Sequence, residues 1–454
     1  MKKLAVLFIA LAMIFSLSAC GEKAVKVYQG LGIINTGRKG PGKDNTETQV
    51  WSFNQVFVNA LFDEDGKVVD ILIDMLEVAT PNYDGASMPH LSGFPGQGGY
   101  NNDENHDEVV DGKTADTEEN FMAEVEGWKT KRERGDDYVM TTGTWSSQMD
   151  KFQEVFTGKT VAEIEAWFAK YTSDLNGRPL LATMEKPEDV AKYGKLTADE
   201  KAELADVTTA ATMSLKDSHG DIIGAIKKAF ENKRELEVKG VVAAGFGFTF
   251  TPRKGPGKDN TETQVWSFNE TFATSLFDKD GKIVSTFVDM IEIATPNYDG
   301  ASMPHFSGFP GQGGYNNDEN HDEVIDGKTA GTEEAFFAEI AGWKSKRDRG
   351  SEYVMTTGTW TSQMDKFQEV FTGKTIAEVK EWEAKYTSDL NGRPLLETME
   401  KPEDVAKFGK LTDDEKAELA DVTTAATMSL TDAHGDILGA LENSYTNKYE
   451  VNLK

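Results

Sequence analysis

Apolar residues between positions 241 and 294 follow the alternation of strands, interrupted once by a turn. VVAAGFGFTFTP (241–252) reads as one strand, its glycines marking a close approach of backbone or ligand. QVWSFNETFATSLFD (264–278) and KIVSTFVDMIEIA (282–294) flank an Asp-Gly turn and read as a hairpin. LFDEDGKVVDILIDMLEV, at 61–78, repeats that hairpin earlier in the chain.

Beyond residue 114 the period lengthens to that of helices. DTEENFMAEVEGWKTKRER (116–134) opens with Asp116 and Glu119 spaced as a capping box. SQMDKFQEVF (147–156) and VAEIEAWFAKY (161–171) carry apolar residues at three- and four-residue spacing. KPEDVAKYG and TADEKAELADV follow, each with Pro or Thr near its start and acids in its first turn. A last helix is expected over about 213–230. Strand-forming runs followed by helical ones predict an α+β fold, a small antiparallel sheet packed with several helices. Two stretches between them, 80–113 and 295–328, are rich in Gly, Asn, Asp and Pro. They are too long for plain connections and are read as structured functional loops.

Shifted by 215 positions, the chain overlays itself without a gap over nearly all its length after the leader. KGPGKDNTETQVWSFN stands at 39–54 and 254–269, and DVTTAATMSL at 206–215 and 421–430. The unit far exceeds a solenoid repeat of roughly 20–50 residues and suits a domain with its own core. Two tandem homologous domains are therefore expected, 20–238 and 239–454, after a leader at 1–19. The boundary near Glu237–Gly240 reads as a helix end running into a strand, with no linker composition.

Lys2 and Lys3, an apolar run from Leu4 to Phe15, and LSAC at 17–20 have the layout of a secretory signal. The single cysteine of the chain, Cys20, stands where bacterial lipoproteins carry their lipid. The match implies cleavage before Cys20, and a palmitate-type anchor at the extracellular face of a cell membrane, most simply of Gram-positive type. With one cysteine no internal disulfide is available, so the fold rests on buried apolar surface. The formal net charge of −29 excludes nucleic acid as a partner and repels anionic headgroups.

The repeated DVTTAATMSL is crowded with hydroxyls and read as the entrance to a helix, where unpaired N–H groups would favour a phosphate. Its form, Asp-x-x-Thr-small-Ala-Thr-x-Ser ahead of a final helix, resembles the flavinylation motif of the FMN-binding domain family. That family includes the C subunit of sodium-pumping NADH:quinone reductase. DGKVV (65–69) and DGKIV (280–284) match the family's hairpin, and the order of strands before motif agrees. The resemblance implies two FMN groups, each joined through its phosphate by a flavin transferase to Thr212 or Thr427. Asp206 and Asp421 match the leading acid, Thr209 and Thr424 the first hydroxyl, and Ala211 and Ala426 the alanine. Ser214 and Ser429 match the trailing hydroxyl. Alanine stands at 210 and 425, where the family usually has glycine.

The whole chain looks like the two-domain flavinylated lipoproteins of extracellular electron transfer. The resemblance implies electrons arriving from a membrane NADH dehydrogenase and quinone pool and leaving to extracellular acceptors such as ferric iron. It implies an electron carrier rather than an enzyme with a dedicated substrate. The alternative is a surface lipoprotein of the same fold without flavin, holding a ligand or metal in the 80–113 and 295–328 loops.

Other constellations carry less. The six histidines form three pairs across the repeat, His90/His305, His106/His321 and His219/His434, none with zinc spacing. His219 would share a helical face with Thr212 if one helix held both; as a surface histidine it would do nothing special. Asp103, Asn105 and Asp107 alternate like calcium ligands, but Glu108 stands where an EF-hand needs glycine. GQGGY (96–100) lacks the spacing of a dinucleotide fingerprint; it is read as letting the backbone approach a flat ring, with Phe94, Tyr100 and Trp145 as stacking candidates or core.

Overall fold

The computed structural model of the protein describes residues 23–45, 47–83, 88–96, 117–217, 219–298, 300, 303–310, 332–431 and 434–453. Cys20, Asp103–Glu108, Tyr100, His106 and His321 lie outside these.

In the first half, β1 (Val25–Lys43), β2 (Gln49–Phe62) and β3 (Val68–Ala79) form a meander. Helix α1 (Glu118–Glu126) follows, then a small hairpin of β4 (Val139–Met140) and β5 (Gly143–Thr144). Helices α2 (Trp145–Phe156), α3 (Val161–Tyr171), α4 (Pro187–Gly194), α5 (Ala198–Thr208) and α6 (Ile222–Glu231) lead to β6 (Arg234–Val238). That strand returns to pair with β1, giving an antiparallel sheet ordered β3-β2-β1-β6.

The second half repeats the plan. It runs β7 (Val241–Lys258), β8 (Gln264–Asp278), β9 (Ile283–Ala294), α7 (Glu333–Ala341), α8 (Lys346–Arg349), β10 (Val354–Met355), β11 (Gly358–Thr359) and α9 (Trp360–Phe371). Then come α10 (Ile376–Tyr386), α11 (Pro402–Phe408), α12 (Asp413–Thr423), α13 (Ile437–Thr446) and β12 (Tyr449–Glu450). Its sheet is ordered β12-β7-β8-β9 and is antiparallel throughout. The architecture is thus the mixed helix-and-sheet one that the patterning predicts, with a four-stranded antiparallel sheet and a two-stranded hairpin in each half among the described residues.

Each sheet is buried on both faces. Val56, Val58, Ala60 and Phe62 of β2 face the helices of their own half, packing with Trp145, Phe152 and Ile226. Phe53 and Phe57, on the other face, join a shared aromatic core with Phe248, Phe268, Phe272 and Trp343 of the second half. Contacts in this core are reciprocal. Phe53 meets Trp343 with ring centroids 5.2 Å apart, and Phe268 meets Trp128 at 5.0 Å. Lys39 pairs with Glu333 at 2.8 Å, and Lys254 with Glu118 at 2.7 Å. The halves are therefore related by an approximate two-fold axis. Residues 55 and 270, equivalent in the repeat, touch each other: Gln55 Nε2 donates to Glu270 Oε2 at 2.6 Å.

The strand glycines are explained by backbone, not ligand. A Cβ at Gly245 would stand 1.9 Å from the Ser444 carbonyl oxygen, so α13 lies directly on β7. Two helix bounds depart from expectation. The run predicted over 116–134 ends at Glu126, where Gly127 caps it and frees Trp128 to turn into the shared core. Its N-cap is Thr117, whose hydroxyl accepts from the Asn120 N–H, in place of Asp116. The last helix begins at Ile222 rather than near 213, because Asp221 caps it by accepting from the Gly224 N–H.

Candidate functional site

The repeated motif does not open a helix. Asp206 lies in the last turn of α5, and Thr209 ends that helix. Residues 209–217 and 219–221 then lie outside any helix, ahead of α6. The N–H groups of Thr212 and Met213 both donate to Gln148 Oε1, at 2.9 and 3.0 Å, so a phosphate finds no free helix terminus there. The second half repeats this clamp with Gln363 on Thr427 and Met428, at 2.9 and 3.0 Å.

The hydroxyls of the motif diverge. Those of Thr208 and Thr209 donate to the α5 carbonyls of Ala205 and Asp206, and that of Ser214 to the Asn176 carbonyl. Thr424 and Ser429 do the same with Asp421 and Asn391. Asp206 and Asp421 are exposed and pair with Lys151 and Lys366, at 2.8 and 2.7 Å. Ala211 and Ala426 are buried. Neither Ala210 nor Ala425 has positive φ, so alanine is unstrained where glycine was expected.

Thr212 and Thr427 are half-buried. Thr212 Oγ1 lies 3.0 Å from Thr142 Oγ1, in the turn joining β4 to β5; Thr427 Oγ1 lies 2.8 Å from Thr357 Oγ1. Among the described residues no carboxylate or imidazole bonds to either motif hydroxyl. A lone hydroxyl pair does not activate itself, so any modification of these threonines would need a base brought from outside. The neighbouring helix starts hold buried polar groups without partners: Nε1 of Trp145 and Trp360, Oγ of Ser146 and Oγ1 of Thr361. These are donors of the kind that a phosphate or a polyol chain needs. The residues present fit a tethered phosphoester in that respect.

Sequence reasoning missed the polar floor beside the motif. Thr36, Asn54 and Glu77 stand opposite one another on β1, β2 and β3, sharing the helix-facing side of the sheet. Arg38 and Ser52 form the next row, and both reach Glu77 Oε1. Lys131 enters from the segment after α1, its Nζ 2.7 Å from Glu77 Oε2 and 3.3 Å from His219 Nδ1. Burial alone would raise the Glu77 carboxyl, but the Lys131 and Arg38 charges outweigh it and hold it at about 2. Burial, with the Lys131 charge, keeps His219 neutral, well below the usual imidazole range. Glu292, Arg253, Ser267, Lys346 and His434 repeat the set.

His219 is thus buried rather than a surface residue, and it shares no helix with Thr212. The turn that delivers it needs Gly220, with φ of 69°, since a Cβ there would meet Val56 Cγ2 at 2.5 Å. The signal available in the sequence was the same spacing of Glu, Lys and His in both copies. Duplication alone explains that, so it marked nothing.

A cavity of about 700 Å³ borders this floor, walled by Thr36, Arg38, Asn176, Lys216 and Gly220, with Phe337 of the second half closing one side. Phe94 and Trp145 are core residues. Phe94 stacks on Phe268 at 6.0 Å in the shared core, and Trp145 is fully buried among its own helices. His90 and His305 offer their backbone carbonyls to Trp128 and Trp343. Among the described residues no group of three His, Cys, Asp or Glu could hold a metal ion.

The chain is similar to a chlorophenol reductase of Desulfitobacterium hafniense, 38% identical over 231 residues, which are 48% of this chain and 62% of that protein. It therefore spans less than two thirds of that relative's length. By its name the relative is a reductase, a redox protein. No protein-family model matches the chain, so the flavinylation resemblance rests on the motif residues themselves. No solved structure matches it.

Proposed function

We propose that the protein is an electron-transfer flavoprotein carrying two FMN groups, each joined through its phosphate to Thr212 or Thr427. The observation that carries the reading is the paired setting of these threonines. In both halves the same hydroxyl meets a second threonine, on a loop pinned by one glutamine. Likeness to a reductase supports the redox role. In the attachment step the threonine oxygen bonds to the FMN phosphorus of FAD and AMP leaves; the hydroxyl proton passes to the transferase or solvent. FMN, once bound, supplies one- and two-electron chemistry.

The chain's own part is to hold and place. Gln148 and Gln363 fix the backbone at the acceptors, and Thr142 and Thr357 orient the hydroxyls. The buried Lys131 and Lys346 hold positive charge against His219 and His434, seven residues along the chain from the acceptors. Lipid at Cys20 would keep the carrier at the outer face of a membrane, between a quinone-linked NADH dehydrogenase and acceptors such as ferric iron. The acidic surface favours cationic acceptors.

Co-expression with a flavin transferase and intact-mass measurement tests the reading. Two FMN adducts are expected, falling to one in Thr212→Ala or Thr427→Ala and none in the double variant. Adducts that persist in the double variant, or none in the unaltered chain, would overturn it and favour the flavin-free binding lipoprotein.

A further inference from the structure

Arg234 and Tyr449 hold equivalent positions of the repeat, yet they meet their surroundings differently. Arg234 crosses from the first half to the second sheet. Its guanidinium donates to Ser285 Oγ at 3.0 Å and to the Thr286 carbonyl, and lies 4.7 Å over the Phe287 ring. Arg347 lies 4.3 Å over the same ring. Burial and the Arg347 charge lower Arg234 to about 10, which leaves it charged at neutral pH. The fold thus accommodates one guanidinium beside another.

Shifted back by 215 positions, this nest becomes Asp70, Ile71, Leu72 and Arg132, and all four line the cavity of about 620 Å³ between the halves. Tyr449 stands in for Arg234 and reaches only to Asp70, donating to its Oδ2 at 2.6 Å. The lining differs from its counterpart in the direction of a cation. Asp70 replaces Ser285, and Phe246 and Phe248 bring rings where the other copy has Leu31 and Ile33. Asp74, 2% exposed, and Glu133, Asp150 and Glu154 bring the carboxylates to five. Arg132 is the one cation among the described lining residues, and it is engaged by the Ile73 carbonyl, Asp150 and Gln153. Lys151, off the lining, pairs with Glu154 at 3.2 Å. Asp70, Asp74 and Glu133 instead accept from neutral donors: the Tyr449 hydroxyl, the Met75 and Arg132 N–H groups, and the Thr130 N–H. Burial raises all three carboxyls, Asp74 to about 6, a shift that a bound cation would reverse. The acids alone would be a solvated patch. A guanidinium seated in the equivalent place of the other copy gives them a ligand class.

We propose that this cavity binds a small organic cation with a guanidinium or amidinium head, the head at Asp70 and the body along Leu72, Phe246 and Phe248. The volume leaves room for a body as well as a head. Asp150 and Glu154, with side chains 58% and 72% exposed, stand at the mouth and suit a second positive group. The site needs both halves, since β3 supplies Asp70 and β7 supplies the rings. It does not depend on flavin.

Calorimetric titration of the full chain with agmatine tests this, in about 0.15 M salt to screen diffuse attraction to the acidic surface. Saturable binding is expected with Kd below about 1 mM. Asp70→Ser, which installs the residue of the other copy, should weaken it about tenfold or more. Tyr449→Arg should abolish it by supplying the guanidinium from within, with the melting temperature level or raised. Should Asp70→Ser not fold, Asp70→Asn serves the same comparison. No saturable binding, or binding that the folded variants leave unchanged, overturns the site. Binding of an arginine-bearing peptide without binding of agmatine also overturns it, and makes the cavity a docking point for a partner's side chain.

Discussion

The two halves are alike where the motif lies and differ at a few of the positions where they meet. Both motif loops are held by a glutamine and a threonine partner, and both polar floors repeat residue for residue. Across the aromatic core the contacts are reciprocal, but at a few interface positions the equivalents diverge. Arg234 reaches Ser285 Oγ at 3.0 Å and lies over Phe287, filling its side. Its counterpart Tyr449 donates instead to Asp70 at 2.6 Å. A cavity of about 620 Å³ remains there, bordered by Asp70, Asp74, Arg132, Phe246 and Phe248. At the axis Gln55 faces Glu270, one amide against one carboxyl. The comparison teaches that the halves differ at single positions along their contact, 55/270, 70/285 and 234/449, while the floor and the motif loop repeat in both.

Removing the cation beneath either site should have the largest effect. Lys131→Met leaves the buried Glu77 with Arg38 as its one remaining cation among the described residues, costing about 3 kcal/mol; Lys346→Met should do the same through Glu292, which keeps Arg253. Chemical denaturation of the two variants should give equal losses. A large loss in one half only would break the equivalence of the floors. The pair also has a pH signature. Glu77 and Glu292 are held at about 2, below the ordinary carboxylate, so their stabilisation is present above about pH 4.5 and is lost as pH falls towards 2.

Glu270 carries the opposite sign. Burial, opposed by the Gln55 hydrogen bond, pushes its carboxyl up to about 8. Its contribution is present below about pH 4.5 and is lost as pH rises through 8. Glu270→Gln, which gives both halves the same residue, should stabilise by about 1–4 kcal/mol at pH 8 and change little at pH 5. Denaturation midpoints at the two pH values decide; an equal effect at both would show that charge at the axis is not the cause. Smallest of all, the exposed pairs Lys39–Glu333 and Lys254–Glu118 should each contribute no more than about 1 kcal/mol, read by double-mutant cycle and diminishing with salt.

Much of the fold was legible from local signals. Thr160 with Glu163 at the start of α3 and Thr197 with Glu200 at the start of α5 form capping boxes that a sequence displays openly. The Asp-Gly turn between β2 and β3 did the same. What stayed hidden depends on tertiary context. Phe53 and Phe57 look like ordinary strand residues until the second half covers them, and Asn54 between them looks like a surface amide. The resemblance makes Thr212 the expected acceptor, but its setting differs from the helix entrance that the sequence suggests. A threonine- and alanine-rich run suits a helix entrance, yet α5 already uses Asp206 to Thr208, and Gln148, 64 residues away, takes the N–H groups that would have started a new helix. His219 reads as a neighbour of Thr212 on one helix or as a surface histidine; Gly220, seated against Val56, instead lets the chain turn it inward to Lys131.

The most direct measurement is peptide-mapped mass spectrometry of the protein taken from its native host. The account predicts two modified peptides, each bearing FMN, with fragment ions placing it on Thr212 and Thr427. Unmodified peptides at both positions, in cells where a flavin transferase is active, would contradict it.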